Sequence, residues 1–235
     1  MIKLISACNS EPAYAELARI SQASIRKYCR KHSLKYAFYQ IAETERAASW
    51  YKIKFLKEEL ERGDAEYCLW LDADTLIYNR DFDLRTLTRS GKEIYVAKDD
   101  LNINCGVLLL KNSALNRKLL DKIWGMTHCL DHPWWEQQAL VDLIQADYEG
   151  IRERIEYVPQ KTFNAYIYGL YGKRHEAGEF DLDSFVVHFP GMPLVTRHWK
   201  MTELSKPKQA WKRRRLKLRR FLAGLGFNVN CSATG

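Results

Sequence analysis

One short stretch, residues 67–79 with the sequence YCLWLDADTLIYN, constrains the fold more than any other part of the chain. Its unbroken apolar run is typical of a strand covered on both faces, as in a parallel sheet between layers of helices. Two aspartates, Asp72 and Asp74, follow the run directly. Ligand sites of open α/β sheets lie outside the carboxyl ends of the strands. The stretch therefore predicts a buried strand that ends at a binding site.

Segments with strand-like and helix-like patterns alternate along the rest of the chain. Apolar spacings of three and four mark the helices; Pro12 suits a first helical turn, and Ser49 and Gly63 suit the N-cap and the end of a second helix. This alternation predicts an α/β fold with a mainly parallel central sheet flanked by helices. The predicted strands cover residues 1–8, 34–41, 66–74, 92–99, 103–113, 155–160 and 185–191. The predicted helices cover residues 11–33, 49–63, 113–128 and 133–146.

Length and charge divide the chain into a body and a tail. The 235 residues suffice for one domain with an appendage. We place a catalytic domain at residues 1–205 and a basic amphipathic tail at 206–235, because much of the net charge of +8 lies in residues 206–227. The body has neither a basic surface signature nor an RNA-binding motif, so nucleic acid is not an expected partner.

The cellular setting is inferred from cysteine usage and from apolar segments. The six cysteines are scattered and include no CxxC pair, and the first residues, MIKLISACNS, do not match an export signal. We therefore expect free thiols and a cytoplasmic protein. A continuous run of about 18 apolar residues would be needed for a transmembrane helix, and the sequence has none.

The spacing of Asp72 and Asp74 suggests a metal site. Residues two apart in an extended chain point to the same side, so both carboxylates are expected to face one space. Two like charges this close need a positive partner, and Mg²⁺ or Mn²⁺ accepts hard oxygen ligands and bridges to phosphates. The alternative is a solvated turn, since aspartate also favours turns.

Several enzyme classes use such a pair. Haloacid-dehalogenase-like phosphatases carry D-x-D-x-[TV] on their first strand, whereas here Thr75 comes one place early and the pair follows the third predicted strand. Nucleotide-sugar glycosyltransferases use D-x-D to hold a metal on a diphosphate. A nucleotidyl- or phosphotransferase on a similar fold is the alternative, although the first loop has no glycine-rich, basic phosphate-binding sequence.

Residues 49–79, SWYKIKFLKEELERGDAEYCLWLDADTLIYN, resemble the core of the GT-A fold glycosyltransferases. The similarity is greatest to the galactosyl- and xylosyltransferases of glycosyltransferase family 34, and family 8 is more distant. Later segments agree with family motifs in order and approximate spacing: NINCGVLLLKNS, WWEQQALVDLI, and VPQKTFNAY followed by VVHFPG. The resemblance spans roughly residues 1–195. It implies a GT-A, Rossmann-like fold and a metal-dependent, retaining hexosyl- or pentosyltransferase.

The resemblance implies a metal site and two substrates. Asp74 would bind the metal directly, Asp72 would share it or bind the ribose hydroxyls, and His188 would be the third protein ligand. Without the resemblance, a histidine after two valines is typical of a buried core residue. Imidazole favours Mn²⁺, with Mg²⁺ as the alternative. The implied donor is a nucleoside-diphosphate sugar, and the implied acceptor is a glycan or a lipid-linked glycan.

The implied catalytic residues are Gln137 and Glu136. The carbonyl of Gln137 would stabilise an oxocarbenium-like transition state, and Glu136 would orient the sugar hydroxyls. A glutamate in a first helical turn also complements the helix dipole, which is the structural alternative. Family members often carry aspartate at the position of Glu136, so the sugar preference of relatives does not carry over.

Other positions are expected to hold the donor. Ser6 and Asn9 would contact the nucleotide base, and Lys52 would reach the diphosphate unless it lies on a helix surface. The resemblance implies that Asn104 and Gly106 lie beside a sugar, and a glycine within a strand allows such close approach of a neighbour; a bulge is the alternative.

The segment after His188 departs from the family pattern. Gly191 is expected to contact the donor. Relatives carry a lysine shortly afterwards that neutralises the leaving phosphate, but this chain has none before Lys200, so Arg197 or Lys200 is expected to substitute. Aromatic residues that could form an acceptor groove by stacking on sugars, or that could equally be core, are Trp134, Trp135, Phe163, Tyr166, Tyr168 and Tyr171.

The basic tail suggests a membrane contact. Residues 206–227 interleave aromatic and aliphatic side chains with lysines and arginines, a composition that suits an anionic membrane surface. The alternative is a solvated terminal helix packed on the domain. The sequence therefore predicts a cytoplasmic enzyme that is peripheral on the inner face of a membrane.

Overall fold

The computed structural model describes residues 1–42, 45–167 and 178–206, and it has an α/β architecture. The basic tail beyond residue 206 lies outside the described residues, and so do Tyr168, Tyr171 and Cys231. No helix in the described part is long and apolar enough to span a bilayer. The cysteines within these ranges are all buried and form no disulfide.

The strands and helices alternate as the sequence pattern predicts. The strands are β1 (Ile2–Asn9), β2 (Lys35–Ile41), β3 (Tyr67–Leu71), β4 (Thr75–Ile77), β5 (Ile94–Lys98), β6 (Ile103–Lys111), β7 (Ile155–Tyr157), β8 (Ala165–Tyr166) and β9 (Val186–His188). The α-helices are α1 (Pro12–His32), α2 (Tyr51–Arg62), α3 (Ala114–Trp124), α4 (Trp135–Gln145), α5 (Gln160–Phe163) and α6 (Leu194–Ser205). Short 3-10 segments cover Ala48–Trp50, Leu84–Ser90, Thr127–Cys129 and Tyr148–Arg154.

The central sheet has six strands in the order β2-β1-β3-β6-β5-β7. Parallel pairing joins β2, β1 and β3 and also joins β5 and β7, while β6 pairs antiparallel with both of its neighbours. The sheet is therefore mainly parallel, with β6 as its reversed strand. A second sheet, in the order β4-β9-β8, lies after the carboxyl end of β3.

Strand β3 is buried along its whole length because layers cover both faces of the sheet. Cys68 and Trp70 pack with α2, α3 and α4, whereas Tyr67, Leu69 and Leu71 pack with α1 and the second sheet. The alternation follows from the two-residue period of a strand. The continuous apolar run of the sequence is thus explained by two cores rather than one.

Some local features differ from the sequence-based prediction. Ser49 is not the N-cap of α2, because a 3-10 turn from Ala48 precedes the helix and Trp50 occupies the cap position. Gly63 ends α2 in the left-handed conformation with φ of 70°, as predicted. Strands β4 and β8, only three and two residues long, and helix α6 are absent from the sequence-based prediction.

Candidate functional site

A cleft of about 370 Å³ lies over the carboxyl end of β3. Its walls come from the end of β1 at residues 7–9, the turn at 47–49, the segment 72–74, Trp135 at the start of α4 and Arg197 in α6. The position agrees with the rule that ligands of α/β folds bind outside the carboxyl ends of the strands.

A tight turn directs Asp72 and Asp74 into the cleft. The carbonyl of Asp72 accepts hydrogen bonds from the Thr75 amide at 3.1 Å and the Thr75 hydroxyl at 2.8 Å. Strand β4 then pairs with β9, which places Thr75 opposite His188. The carbonyl of Asp74 accepts from the Phe189 amide at 3.2 Å. The second sheet therefore brings a residue more than a hundred positions away to the aspartate pair.

Asp72, Asp74 and His188 form a group that could hold a metal ion. One potential ligand atom from each lies within 4.8 Å of the others. His188 is buried, and its Nε2 is 3.3 Å from Asp74 Oδ1. Carboxylate oxygens and an imidazole nitrogen are a donor set that suits Mn²⁺.

Lys52 lies in the interior of this site. Its ammonium is 3.1 Å from Asp72 Oδ1 and 3.0 Å from Glu136 Oε1, and it donates to the Cys105 carbonyl at 3.0 Å. Burial lowers the pKa of Lys52, but attraction to Asp72 and Glu136 outweighs it and holds that pKa above the ordinary value. The lysine is thus neither on the helix surface nor free to extend into the cleft.

Glu136 and Gln137 are both held by their surroundings. Glu136 is buried, and its Oε2 finds no hydrogen-bond partner among the described residues. Gln137 Oε1 accepts from the Cys105 amide at 3.0 Å, so the carbonyl that was expected to face the sugar is bound to β6.

A bulge in β6 explains why Gln137 and Asn104 bind the backbone there. The pairing with β5 shifts between Val96 and Ala97, which leaves residues 105–107 without partners on that strand. The freed amide of Cys105 donates to Gln137, and that of Gly106 donates to Asn104 Oδ1 at 3.0 Å. Bulges of this kind are common next to active sites.

Gly106 is approached closely by His188. A methyl group added at Gly106 would lie 2.1 Å from His188 Cε1. The glycine therefore makes room for the imidazole ring rather than for a bound sugar at this point. The sequence had indicated close approach, but not the neighbour.

A second cation, Arg197, contacts Asp74 of the aspartate pair. Its guanidinium is 3.0 Å from Asp74 Oδ2 and donates to the Met192 carbonyl at 2.9 Å, while its Nε is buried without a partner among the described residues. Burial raises the pKa of Asp74, but the Arg197 guanidinium beside it opposes that effect and helps to hold the pKa below its ordinary value. Lys200 is not among the residues that line the cleft.

The remaining donor-site predictions map to different environments. Asn9 lines the cleft. Ser6 is buried with its hydroxyl 2.6 Å from that of Tyr36, and Ala7 and Cys8 line the cleft in its place. Gly191 is in the turn before α6 with φ of 67°, a left-handed conformation that favours glycine.

The aromatic residues divide between cleft and core. Trp135 lines the cleft and is 41% exposed, with φ of 42° at the start of α4. Positive φ is costly for a bulky residue and is concentrated at functional sites. Phe163 and Tyr166 are buried, which agrees with the core alternative for these two rings.

Sequence reasoning missed two residues that bind the site groups. Trp70 Nε1 donates to Asp72 Oδ1 at 2.6 Å. Asn164, just before β8, bonds to His188 through its Oδ1, which is 3.0 Å from Nδ1. The period-2 pattern could have indicated Trp70, because it points to the same side as Asp72; no local signal marks Asn164.

A second potential metal-binding group lies outside the cleft lining. His128, Cys129 and Asp142 also bring one ligand atom each within 4.8 Å of one another. The carboxylate of Asp142 is already engaged, since its Oδ1 accepts from Gln138 at 2.6 Å. This group provides an internal comparison for metal binding.

Comparisons with known proteins identify related glycosyltransferases. The sequence profile of the galactosyl transferase GMA12/MNN10 family matches residues 1–89 and 84–196. An alpha-1,2-galactosyltransferase of Schizosaccharomyces pombe is 26% identical over 210 residues, 71% of this chain and 54% of that protein. A probable alpha-1,6-mannosyltransferase of Saccharomyces cerevisiae is 27% identical over 216 residues, which are 73% of this chain and 54% of that protein. This chain thus spans about half the length of the curated relatives that it matches.

Solved structures agree on the fold. A glycosyltransferase involved in glycosylation of the major capsid of PBCV-1 has a TM-score of 0.68 at 16% identity, covering 86% of this chain and 98% of that one. The galactosyltransferase LgtC, in complex with donor and acceptor sugar analogs, has a TM-score of 0.57 at 14% identity. The alignment covers 86% of this chain and 95% of that one. At such identities the likeness establishes the GT-A fold alone.

Proposed function

This chain belongs to the galactosyl transferase GMA12/MNN10 family of glycosyltransferases, and on that premise we propose that it transfers a hexose or pentose from a nucleoside-diphosphate sugar to a glycan or lipid-linked acceptor. The observation that carries the proposal is the convergence of Asp72, Asp74 and His188 on one another, beside the cleft that the two aspartates line. The family match favours glycosyl transfer over the nucleotidyl- or phosphotransferase alternative.

The charges around the cleft fit a divalent cation. Three carboxylates, those of Asp72, Asp74 and Glu136, contact two permanent cations, Lys52 and Arg197. With a neutral imidazole at His188, this cluster carries a net charge of −1, which attracts a cation. Asp72, Asp74 and His188 would hold Mn²⁺, with Mg²⁺ as the alternative. A bound cation would offset the negative charge that gathers on a departing nucleoside diphosphate.

The residues of the chain would divide the remaining tasks. Asn9 and its neighbours at the end of β1 would contact the nucleotide. Arg197 would donate to the leaving phosphate, because it reaches the aspartate pair and its Nε–H is unused within the described structure. Trp135, exposed in the cleft, would stack on a sugar face.

Gln137 and Glu136 would act beneath the sugar. The Cys105 amide fixes Gln137 Oε1, whose second lone pair stays available to a developing positive charge. The unpartnered Oε2 of Glu136 would accept from a sugar hydroxyl. We propose transfer with retention of configuration; an NMR assignment of a β-linked product from an α-linked donor would contradict it.

To test the proposal, the protein is incubated with Mn²⁺ and each of a panel of nucleotide sugars, first without and then with glycan acceptors, and the released phosphate product is identified. We expect one donor to release nucleoside diphosphate, whereas a nucleotidyltransferase would release pyrophosphate. Asp74→Asn should abolish the release, and Asp142→Asn, in the second group, should leave it intact. Equal activity in both variants would contradict the assignment of the metal site.

The tail and the location of the protein remain proposals from sequence. We propose that residues 206–227 hold the enzyme at an anionic membrane on the cytoplasmic face, since each cation near such a surface adds about 1 kcal/mol. Co-sedimentation with anionic liposomes should be stronger for the full chain than for a chain truncated after residue 205. Equal binding would remove the membrane role.

A further inference from the structure

A chain of hydrogen bonds runs from the backbone of β6 to the imidazole of His188. The Gly106 amide donates to Asn104 Oδ1 at 3.0 Å, and the same oxygen accepts from Asn164 Nδ2 at 2.9 Å. Asn164 Nδ2 also donates to the Asn104 carbonyl at 3.3 Å. Asn164 Oδ1 is 3.0 Å from His188 Nδ1.

The direction of each bond follows from the first. A backbone N–H only donates, so the side-chain atom of Asn104 that faces Gly106 is the oxygen. The atom of Asn164 that faces this oxygen must then be the amide nitrogen, and its own oxygen must face His188. An amide oxygen only accepts, so Nδ1 of His188 carries the proton. In the neutral imidazole, Nε2 is then an unprotonated acceptor.

In this tautomer the unprotonated Nε2 of His188 faces a carboxylate oxygen of Asp74, so two hydrogen-bond acceptors face each other. His188 Nε2 lies 3.3 Å from Asp74 Oδ1, and a neutral imidazole has no proton there to share. A cation bound by both atoms removes the conflict. The opposite tautomer would donate Nε2–H to Asp74 and block a metal from that nitrogen.

The residues packed around His188 restrict a flip of its imidazole ring. Gly106 lies against one side, where an added methyl group would be 2.1 Å from Cε1. The ring of Tyr166 lies edge-on at 5.8 Å between centroids, and Tyr166 is tied to Asp99 by a hydrogen bond of 2.8 Å. Asn164 itself is fully buried. The tautomer is therefore set by the hydrogen bonds of a fixed ring.

We propose that Asn164 is a positioning residue that fixes the Nδ1–H tautomer of His188 and so presents Nε2 to a divalent cation. The inference rests on the proposed function, because it assigns a purpose to the metal site of that same reaction. Asn104, expected beside a sugar, serves here as the link that orients Asn164.

The tautomer is tested on the metal-free full chain. NMR of protein labelled with ¹⁵N-histidine distinguishes protonated from unprotonated ring nitrogens. For His188 we expect a protonated Nδ1 and an unprotonated Nε2 at a pH where the ring is neutral. A protonated Nε2 would overturn the inference while leaving the proposed function standing.

The consequence for metal binding is tested by a pair of variants. Asn164→Ala removes the acceptor of the Nδ1 proton, whereas Asn164→Asp keeps an acceptor there; both lose the hydrogen bond to Asn104. Measured by Mn²⁺ electron paramagnetic resonance, the Kd should rise about 10–100-fold in Asn164→Ala, the usual cost of losing such a partner. In Asn164→Asp it should stay close to that of the unmodified protein.

A buried asparagine away from the site provides the control. Asn116 Nδ2 donates to the Glu93 and Lys111 carbonyls, both at 2.9 Å. Asn116→Ala should lower the Tm without changing the Kd for Mn²⁺. Equal Kd values for Asn164→Ala and Asn164→Asp would overturn the positioning role. Failure of the unmodified protein to bind Mn²⁺ would overturn the metal site itself.

Discussion

Two cations contact the aspartate pair, Lys52 at Asp72 and Arg197 at Asp74, and they differ in how much of the structure depends on them. Lys52 approaches Asp72 from α2, is 3% exposed and also contacts Glu136 and the Cys105 carbonyl. Arg197 approaches Asp74 from α6 and is 12% exposed. Its guanidinium faces the cleft, and part of its donor capacity is unused.

The two cations differ in which carboxylates lose a counter-charge when the cation is removed. Without Lys52, the buried carboxylate of Glu136 would lose its counter-charge, which is costly, and Asp72 at the cleft would lose one partner. Without its bond to Arg197, Asp74 would still face the cleft, where a metal ion can replace the guanidinium. Lys52 is therefore a structural cation, and we propose that Arg197 is the cation that exchanges partners during the reaction.

Replacement of Lys52 should have the largest effect. Lys52→Met is expected to lower the free energy of unfolding by about 3–5 kcal/mol, because it breaks a buried ion pair from one side. Urea denaturation followed by circular dichroism measures this. Lys57→Met on the same helix is the control: its partly exposed pairs with Glu61 and Asp121 should contribute about 1 kcal/mol or less. Equal losses in the two variants would remove the contrast.

Replacement of Arg197 should affect turnover instead of stability. We expect Arg197→Met to lower kcat about 10²–10³-fold, the usual effect of removing one donor to a developing negative charge. The free energy of unfolding should fall by less than in Lys52→Met, because Arg197 and Asp74 both line the cleft and the carboxylate keeps contact with solvent there. Steady-state kinetics with the preferred donor measures the effect. If Lys200→Met instead shows the 10²–10³-fold loss of kcat and Arg197→Met shows none, the donor to the leaving phosphate is Lys200.

Gly106→Ala should act on the metal through His188. The added methyl group would lie 2.1 Å from Cε1, so the imidazole has to move, and the Kd for Mn²⁺ is expected to rise about 10–100-fold. Gly125→Ala is the matched control, because the nearest atom to its methyl group would be 3.5 Å away, an ordinary contact. Titration of Mn²⁺ into both variants tests the difference; unchanged binding in Gly106→Ala would contradict the close approach.

Gln137→Ala should give the smallest effect. The Cys105 amide loses its acceptor, which is expected to cost about 1–3 kcal/mol of stability, and kcat should fall about tenfold with little change in donor binding. Gln138→Ala, one position along α4, should lower stability by about 1 kcal/mol and leave kcat unchanged, because its side chain binds Asp142 instead. If both variants lose kcat equally, Gln137 has no specific part in the reaction.

Sequence alone determined the features that rest on local patterns. The apolar run before Asp72 predicted β3 with both faces covered, and the alternation of segments predicted the mainly parallel sheet. Gly63 predicted the end of α2 because only glycine adopts the left-handed conformation there at little cost. The motifs around Asp74, Gly106, Gln137 and His188 were sufficient to indicate a GT-A glycosyltransferase. Each of these signals is read from residues that are adjacent in sequence or from the order of such segments along the chain.

Tertiary structure alone decided which groups face one another. Lys52 had seemed a surface or phosphate-binding lysine, and its contact with two carboxylates depends on how α2 and α4 pack against β3. Asn164 meets His188 only because β8 and β9 pair, and Asn104 faces Asn164 because a bulge turns part of β6 away from β5. The physical reason is that a hydrogen bond or an ion pair depends on distances of a few ångströms between segments far apart in sequence, and those distances are set by packing rather than by local propensity.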